Sequence, residues 1–395
     1  MKGGVDMPSI TVNIAPDVLT WALRQADCDH IDTSVLSRVQ QWIDGKKQPT
    51  FNQIEELSKK TRIPLGYFFL KTPPKEDIKL VDFRTIDSVE LINPSRELVD
   101  TISGMERICN WLHDYRVETG FGICPAVGYA KGKKDPIEIA NSIRAYLDIT
   151  NNWYTETRGA DDSFSYIRER INQIGVTVMM SGIVKNNTHR VLNVEEFRAF
   201  ALVDDMAPLI FINSTDSHGG RLFSLFHELA HIFLGENDLF NDRQRTVARV
   251  STTETLCNGV AAELLVPRDD FVREWDKNST KDIFDKVSSI ARKFHCGMIV
   301  IARKALDNSR LSGDVYNKIA KRVIEICRES KEEKESSGGN FYNTLSSRVD
   351  RILVKSICTG LSEGRITYPE AFRLTNTNMK TFPDLASRLG GVSNW

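Results

Sequence analysis

Apolar positions are densest over residues 221–234, where Leu222, Phe223, Leu225, Phe226, Leu229, Ala230, Ile232, Phe233 and Leu234 follow one another with no proline or glycine before Gly235. A segment apolar nearly all round predicts a buried helix. Three β-type runs precede it, at 176–180, 197–203 and 209–212, and predict a small sheet. Residues 251–267 read as a second helix. The helical pattern then returns at 283–294 and 296–306, a pair that alternates like a small helix-turn-helix and reads as packing. Upstream, 93–119 and 136–148 look helical, with Trp111, Leu112 and Tyr115 as core. Between them, 121–135 is a Gly/Lys-rich loop with no assignable role.

The ends have their own patterns. Residues 16–27, 34–43 and 50–61 read as helices, with a glycine stop at Gly45 and a restart at Pro49-Thr50. The apolar turn 64–70 packs back on them. Residues 71–80 read as a linker, followed by a strand-like run at 81–84. Residues 328–340 are charged and then small, a solvated helix end and linker. Residues 345–361 read as one long helix. The fold class expected is α+β and mostly helical, in three parts: a helical domain at 1–72, a domain with the sheet at 80–325, and a helical extension at 340–395.

The candidate chemistry lies inside the buried helix. His227 and His231 are four residues apart, so their rings share one face, and Glu228 sits beside them. Burying two imidazoles and a carboxylate costs several kcal/mol, roughly, unless each finds a partner. One divalent cation satisfies all three, and His-Glu-x-x-His is the spacing of a metal pair with a glutamate general base. A third ligand is expected on the next helix, where Glu254 and Glu263 stand about half a turn out of phase, so only one can reach the cation. Asn258, one turn after Glu254, would steady it. Ser251 with Glu254 also reads as a capping box, which leaves Glu263 as the alternative ligand.

The run Phe226-His-Glu-Leu-Ala-His231 followed by Glu254-x-x-Cys-Asn258-x-x-Ala-Ala-Glu-Leu-Leu-Val-Pro267 resembles the ImmA/IrrE family of metallopeptidases. The family's second motif resembles E-x-x-A-N-x-F-A-A-x-L-L-M-P, against which this chain has Cys257 and Val260 for the alanine and the phenylalanine. The resemblance implies a zincin-like domain, with zinc or another divalent cation on His227, His231 and Glu254 and with Glu228 as general base. It also implies a target among helix-turn-helix repressors. Such a switch suits a mobile element, a phage-defence operon or a toxin–antitoxin operon, with a toxin as the other partner. A non-proteolytic antitoxin or transcriptional regulator is the alternative. A sheet beside the metal helix would hold an extended peptide as an added strand along 209–212. His218, in the loop before the helix, reads as an oxyanion donor or a surface residue, and His189 is equally open. His30, His113 and His295 read as structural.

Residues 15–72, with Trp42-Ile-Asp-Gly45-Lys-Lys-Gln-Pro49-Thr50, resemble an XRE-type helix-turn-helix, although 26–42 is about four residues short for a full reading pair. The charge of 1–72 is nearly balanced, nine Lys/Arg against eight Asp/Glu. DNA readers carry a basic face, so DNA and a protein partner stand as alternatives here. Over the whole chain the net charge is −1, and the seven cysteines show no paired spacing, which points to reduced thiols in a cytosol. No apolar run approaches membrane-span length and the start has no signal-peptide profile, so a cytoplasmic protein without a membrane partner is expected.

Overall fold

A computed structural model of the chain describes residues 10–26, 31–74, 94–235, 252–280, 282–332 and 341–390. The strand-like run at 81–84 lies outside them, as does His30. The chain divides into two compact units, one of residues 1–80 with 91–101 and one of residues 81–90 with 102–395.

The first unit is built from α1 (Pro16–Gln25), α2 (Thr33–Ile43), α3 (Phe51–Thr61) and a 3-10 turn, Leu65–Phe69. Pro16 opens α1, where its missing N–H costs nothing. Thr50 and Gln53 close a reciprocal capping box on α3. Leu19, Ala22, Val35, Val39, Trp42, Ile54, Leu57 and Phe68 form one buried core. Four of the basic side chains are engaged by acidic neighbours: Arg38 by Glu56, Lys46 by Asp44, Lys59 by Glu55 and Lys60 by Asp32.

The second unit has the mostly helical α+β architecture expected. Its three-stranded sheet comprises β1 (Thr177–Ser181), β2 (Ala199–Leu202) and β3 (Leu209–Asn213), in the order β1-β3-β2. β1 runs parallel to β3 and β2 antiparallel to it. All five residues of β3 are buried, as a run of Leu-Ile-Phe-Ile in a central strand should be. Helix α7 (His218–Leu234) packs on β2 and β3. Helix α8 (Thr252–Leu265) lies against α7 and against α5 (Pro136–Leu147). Helix α6 (Ala160–Gln173) packs on α7 and β1, and α4 (Arg96–Glu118) precedes α5. Of the expected core residues of α4, Leu112 and Tyr115 are buried, and Trp111 is half-buried and stacked on Tyr115. After α8 come α9 (Arg268–Lys277), α10 (Ile283–Lys293), α11 (Met298–Asp307) and α12 (Gly313–Glu332).

Two expectations are corrected. The lane beside 209–212 is no docking site, because β3 is paired on both sides. Strand order depends on long-range pairing, which periodicity does not carry. The expected long helix at 345–361 is two helices, α13 (Phe341–Arg348) and α14 (Arg351–Ser362). The break is at Asp350, whose side chain accepts from the Ile352 N–H and starts the second helix. α15 (Tyr368–Thr375) and α16 (Phe382–Leu385) complete this extension, which belongs to the same compact unit as the sheet.

Candidate metal centre

Helix α7 is fixed at both ends. Ser217 caps it, its hydroxyl accepting from the Gly220 N–H at 3.1 Å. Asp216, 6% exposed at its side chain, pairs with Arg198 at 2.6 Å and accepts from the Ser217 N–H. The last turn would leave carbonyls without partners. The 121–135 loop supplies them: Gly128 N–H donates to Ile232 O at 3.0 Å and Ala130 N–H to Phe233 O at 2.7 Å. Its glycines and lysines gave no sign of this role. Twelve of the seventeen residues of α7 are buried, His227, Glu228 and His231 among them.

Glu254 enters from the first turn of α8. Its Oε2 lies 3.3 Å from His227 Nε2, and its Oε1 lies 3.0 Å from His231 Nε2. The two Nε2 atoms are 3.1 Å apart. A tetrahedral zinc with bonds of about 2.0–2.1 Å separates its ligand atoms by roughly 3.3 Å, so these three edges have the right length. Two ring nitrogens facing each other at 3.1 Å repel unless a cation or proton lies between them. The donor set, two imidazoles and a carboxylate, is that of a catalytic zinc site with one position left for water. These three residues are the one such group among the described residues.

The charges are strongly coupled. Burial pushes the Glu254 carboxyl up, but His227 and His231 outweigh it and hold the group well below the usual range. Burial lowers His231, and hydrogen bonding to Cys257 and Glu254 more than reverses this, leaving it well above an ordinary histidine. A bound cation takes the place of that proton. Glu228, 4% exposed, follows His227 directly on α7. Cys257, one turn after Glu254 and fully buried, lies within hydrogen-bonding reach of His231. A thiol in the position of the family motif's alanine has no spacing signal that would mark it in the sequence. Asn258 stands one turn after Glu254, and its buried Oδ1 has no hydrogen-bond partner among the described residues.

Glu263 points elsewhere. It forms a buried ion pair with Lys304 at 2.6 Å and accepts from the Arg268 N–H at 3.0 Å, where it caps α9. His218 is the first residue of α7 rather than part of a loop, and it pairs with Asp161. His113 pairs with Asp204, His295 bonds Ser163 and Thr157, and His189 is exposed in a turn.

Residues 171–306 match a peptidase M78 model described as an IrrE N-terminal-like domain. This domain belongs to the ImmA/IrrE family. Families of this kind are zinc-dependent in general, and the match encloses both helices that carry the three converging side chains. Residues 349–388 match a domain of unknown function, DUF8813. No curated protein matches the chain. Among the described residues no helix is long and apolar enough to cross a membrane.

Proposed function

We propose that the ImmA/IrrE domain is a zinc-dependent metalloendopeptidase acting on a helix-turn-helix repressor or a related regulatory protein. The observation that supports this most is the convergence of His227, His231 and Glu254 at 3.0–3.3 Å beside Glu228. Zinc bound there supplies a Lewis acid for the scissile carbonyl and for the attacking water. Glu228, whose carboxylate is not in the ligand triad, takes the water's proton and passes it to the leaving amine. The peptide is expected along β2. Arg198 O accepts from the Asn213 N–H at 2.8 Å, so in an antiparallel pair Phe200 and Leu202 also bond β3, while the main chain of Ala199 and Ala201 points away from it. An extended segment can pair there and a folded helix cannot, which favours a target cut in an exposed or locally unfolded stretch.

The test is co-expression with the regulator encoded beside the gene, comparing wild type with Glu228→Gln. Loss of intact regulator in wild type alone supports proteolysis. Equal derepression by both forms with the regulator uncut sinks it and leaves the non-proteolytic antitoxin or regulator, with the first unit docking a partner. The pairing of basic with acidic side chains in that unit favours a protein over DNA as its ligand.

A further inference from the structure

The outer edge of β1 is occupied by side chains at Val178. Thr177 N–H donates to Pro208 O and Ser181 O accepts from Ser214 N–H, so alternate residues of β1 face β3 and Val178 presents its amide and carbonyl outward. An open edge of this kind is a template for any extended chain. Here Asp350 Oδ2 accepts from the Val178 N–H at 2.8 Å, and Arg168 Nη2 donates to Val178 O at 2.7 Å. One acceptor and one donor thus fill the two positions a neighbouring strand would use. Asp350 is 0% exposed and also accepts from Asn172 Nδ2 at 2.9 Å. Arg168, 3.8 Å from that carboxylate, further bonds Ser347 O at 2.8 Å and Val349 O at 3.1 Å. The Asp350 N–H donates to Met179 Sδ at 3.3 Å. Four groups on α6 and β1 are therefore tied to the start of the 349–388 domain.

We propose that the domain at 349–388 is a sheet-edge seal, in which Asp350 together with Arg168 replaces a strand at Val178 and denies that edge to extended chains. A second copy of the protein is the strand donor the seal excludes most directly. The consequence for substrate rests on the metallopeptidase reading: a peptide is left only the β2 edge, the one packed on the metal helix.

The test uses full-length protein carrying Asp350→Ala, with Asp350→Asn and Arg168→Lys as milder variants. Backbone exchange at Val178, the association state across a concentration series, the circular dichroism spectrum and the zinc stoichiometry are read together. Loss of one charge-assisted hydrogen bond should speed exchange at Val178 by about tenfold or more in Asp350→Ala. Dimers or larger species should form with rising concentration, while zinc content stays at the wild-type level. Asp350→Asn, whose amide oxygen still accepts from Val178, should stay monomeric if wild type is. Unchanged exchange at Val178, or faster exchange with no self-association, overturns the seal. Should Asp350→Ala fail to fold, the same two readouts are taken on Arg168→Lys, which loses the bond to Val178 O. A wild type without zinc would count against the peptidase reading and leave these readouts standing.

Discussion

Gly128 and Gly235 meet back to back at the end of the metal helix: a Cβ on Gly235 would lie 2.8 Å from Gly128 Cα, whereas one on Gly128 would find Gly235 Cα at a comfortable 4.0 Å. Both residues have positive φ, +71° and +65°. The Gly128 loop can therefore reach the carbonyl of Ile232 only because Gly235 has no side chain.

That asymmetry predicts unequal costs. Alanine at either position pays for positive φ, of order 1–3 kcal/mol. Gly235→Ala adds a clash of backbone on backbone, which cannot be relieved by a rotamer. Thermal denaturation should show Gly235→Ala distinctly less stable than Gly128→Ala. Equal losses would mean that the loop yields and does not fix the helix end.

The two glutamates of α8 should separate cleanly. Glu254→Gln should sharply lower zinc occupancy in metal analysis of purified protein, against one zinc per chain in wild type. Glu263→Gln should keep its zinc while folded but melt earlier, because it leaves Lys304 charged and buried; breaking such a pair costs about 3–5 kcal/mol. Zinc loss in Glu263→Gln alone would reverse the assignment of the third ligand.

The thiol of Cys109 gives a pH prediction. It is 5% exposed, and burial, with Asp204 adding to it, pushes it from 9.0 to about 12. Burial and Asp270 push Tyr154 to about 12 as well. Both are acids kept neutral by the fold. Their folded values lie above their unfolded ones, so the stability they contribute is complete below pH 9.0 and declines as pH rises towards about 12. Native protein at pH 8 should therefore resist iodoacetamide at Cys109, its thiolate fraction about a thousandfold below that of a free thiol. Denaturant should release the reaction. Rapid labelling of Cys109 in folded protein would contradict this burial.

Much of this site was legible because α7 has two signals at once, apolar residues on every side and polar ones only at a four-residue spacing. Glu254 and Glu263 could be told apart by helix phase, and they do face opposite partners. What periodicity could not supply was adjacency. The apolar run of β3 suits a central strand, but which strands flank it does not show in the run itself: its partners lie 32 and seven residues earlier in the chain, in the register Thr177↔Leu209 and Leu202↔Leu209. Asp350 reads as one more polar residue in a helix, yet it caps α14 and binds a strand 172 residues away. The loop at 121–135 is polar and rich in glycine, and its bonds to α7 are main-chain bonds, which leave no mark on residue type.

His227 is 1% exposed and His231 7%. Glu254, whose side chain is 17% exposed, is the most open of the three ligands. A chelator and a scissile carbonyl would have to reach a cation held there through the same open position, so they compete for it. EDTA should therefore strip the metal at a rate that rises with EDTA concentration, and more slowly when an uncleaved peptide occupies the site. A rate that levels off as EDTA is raised would mean that the protein must first open locally.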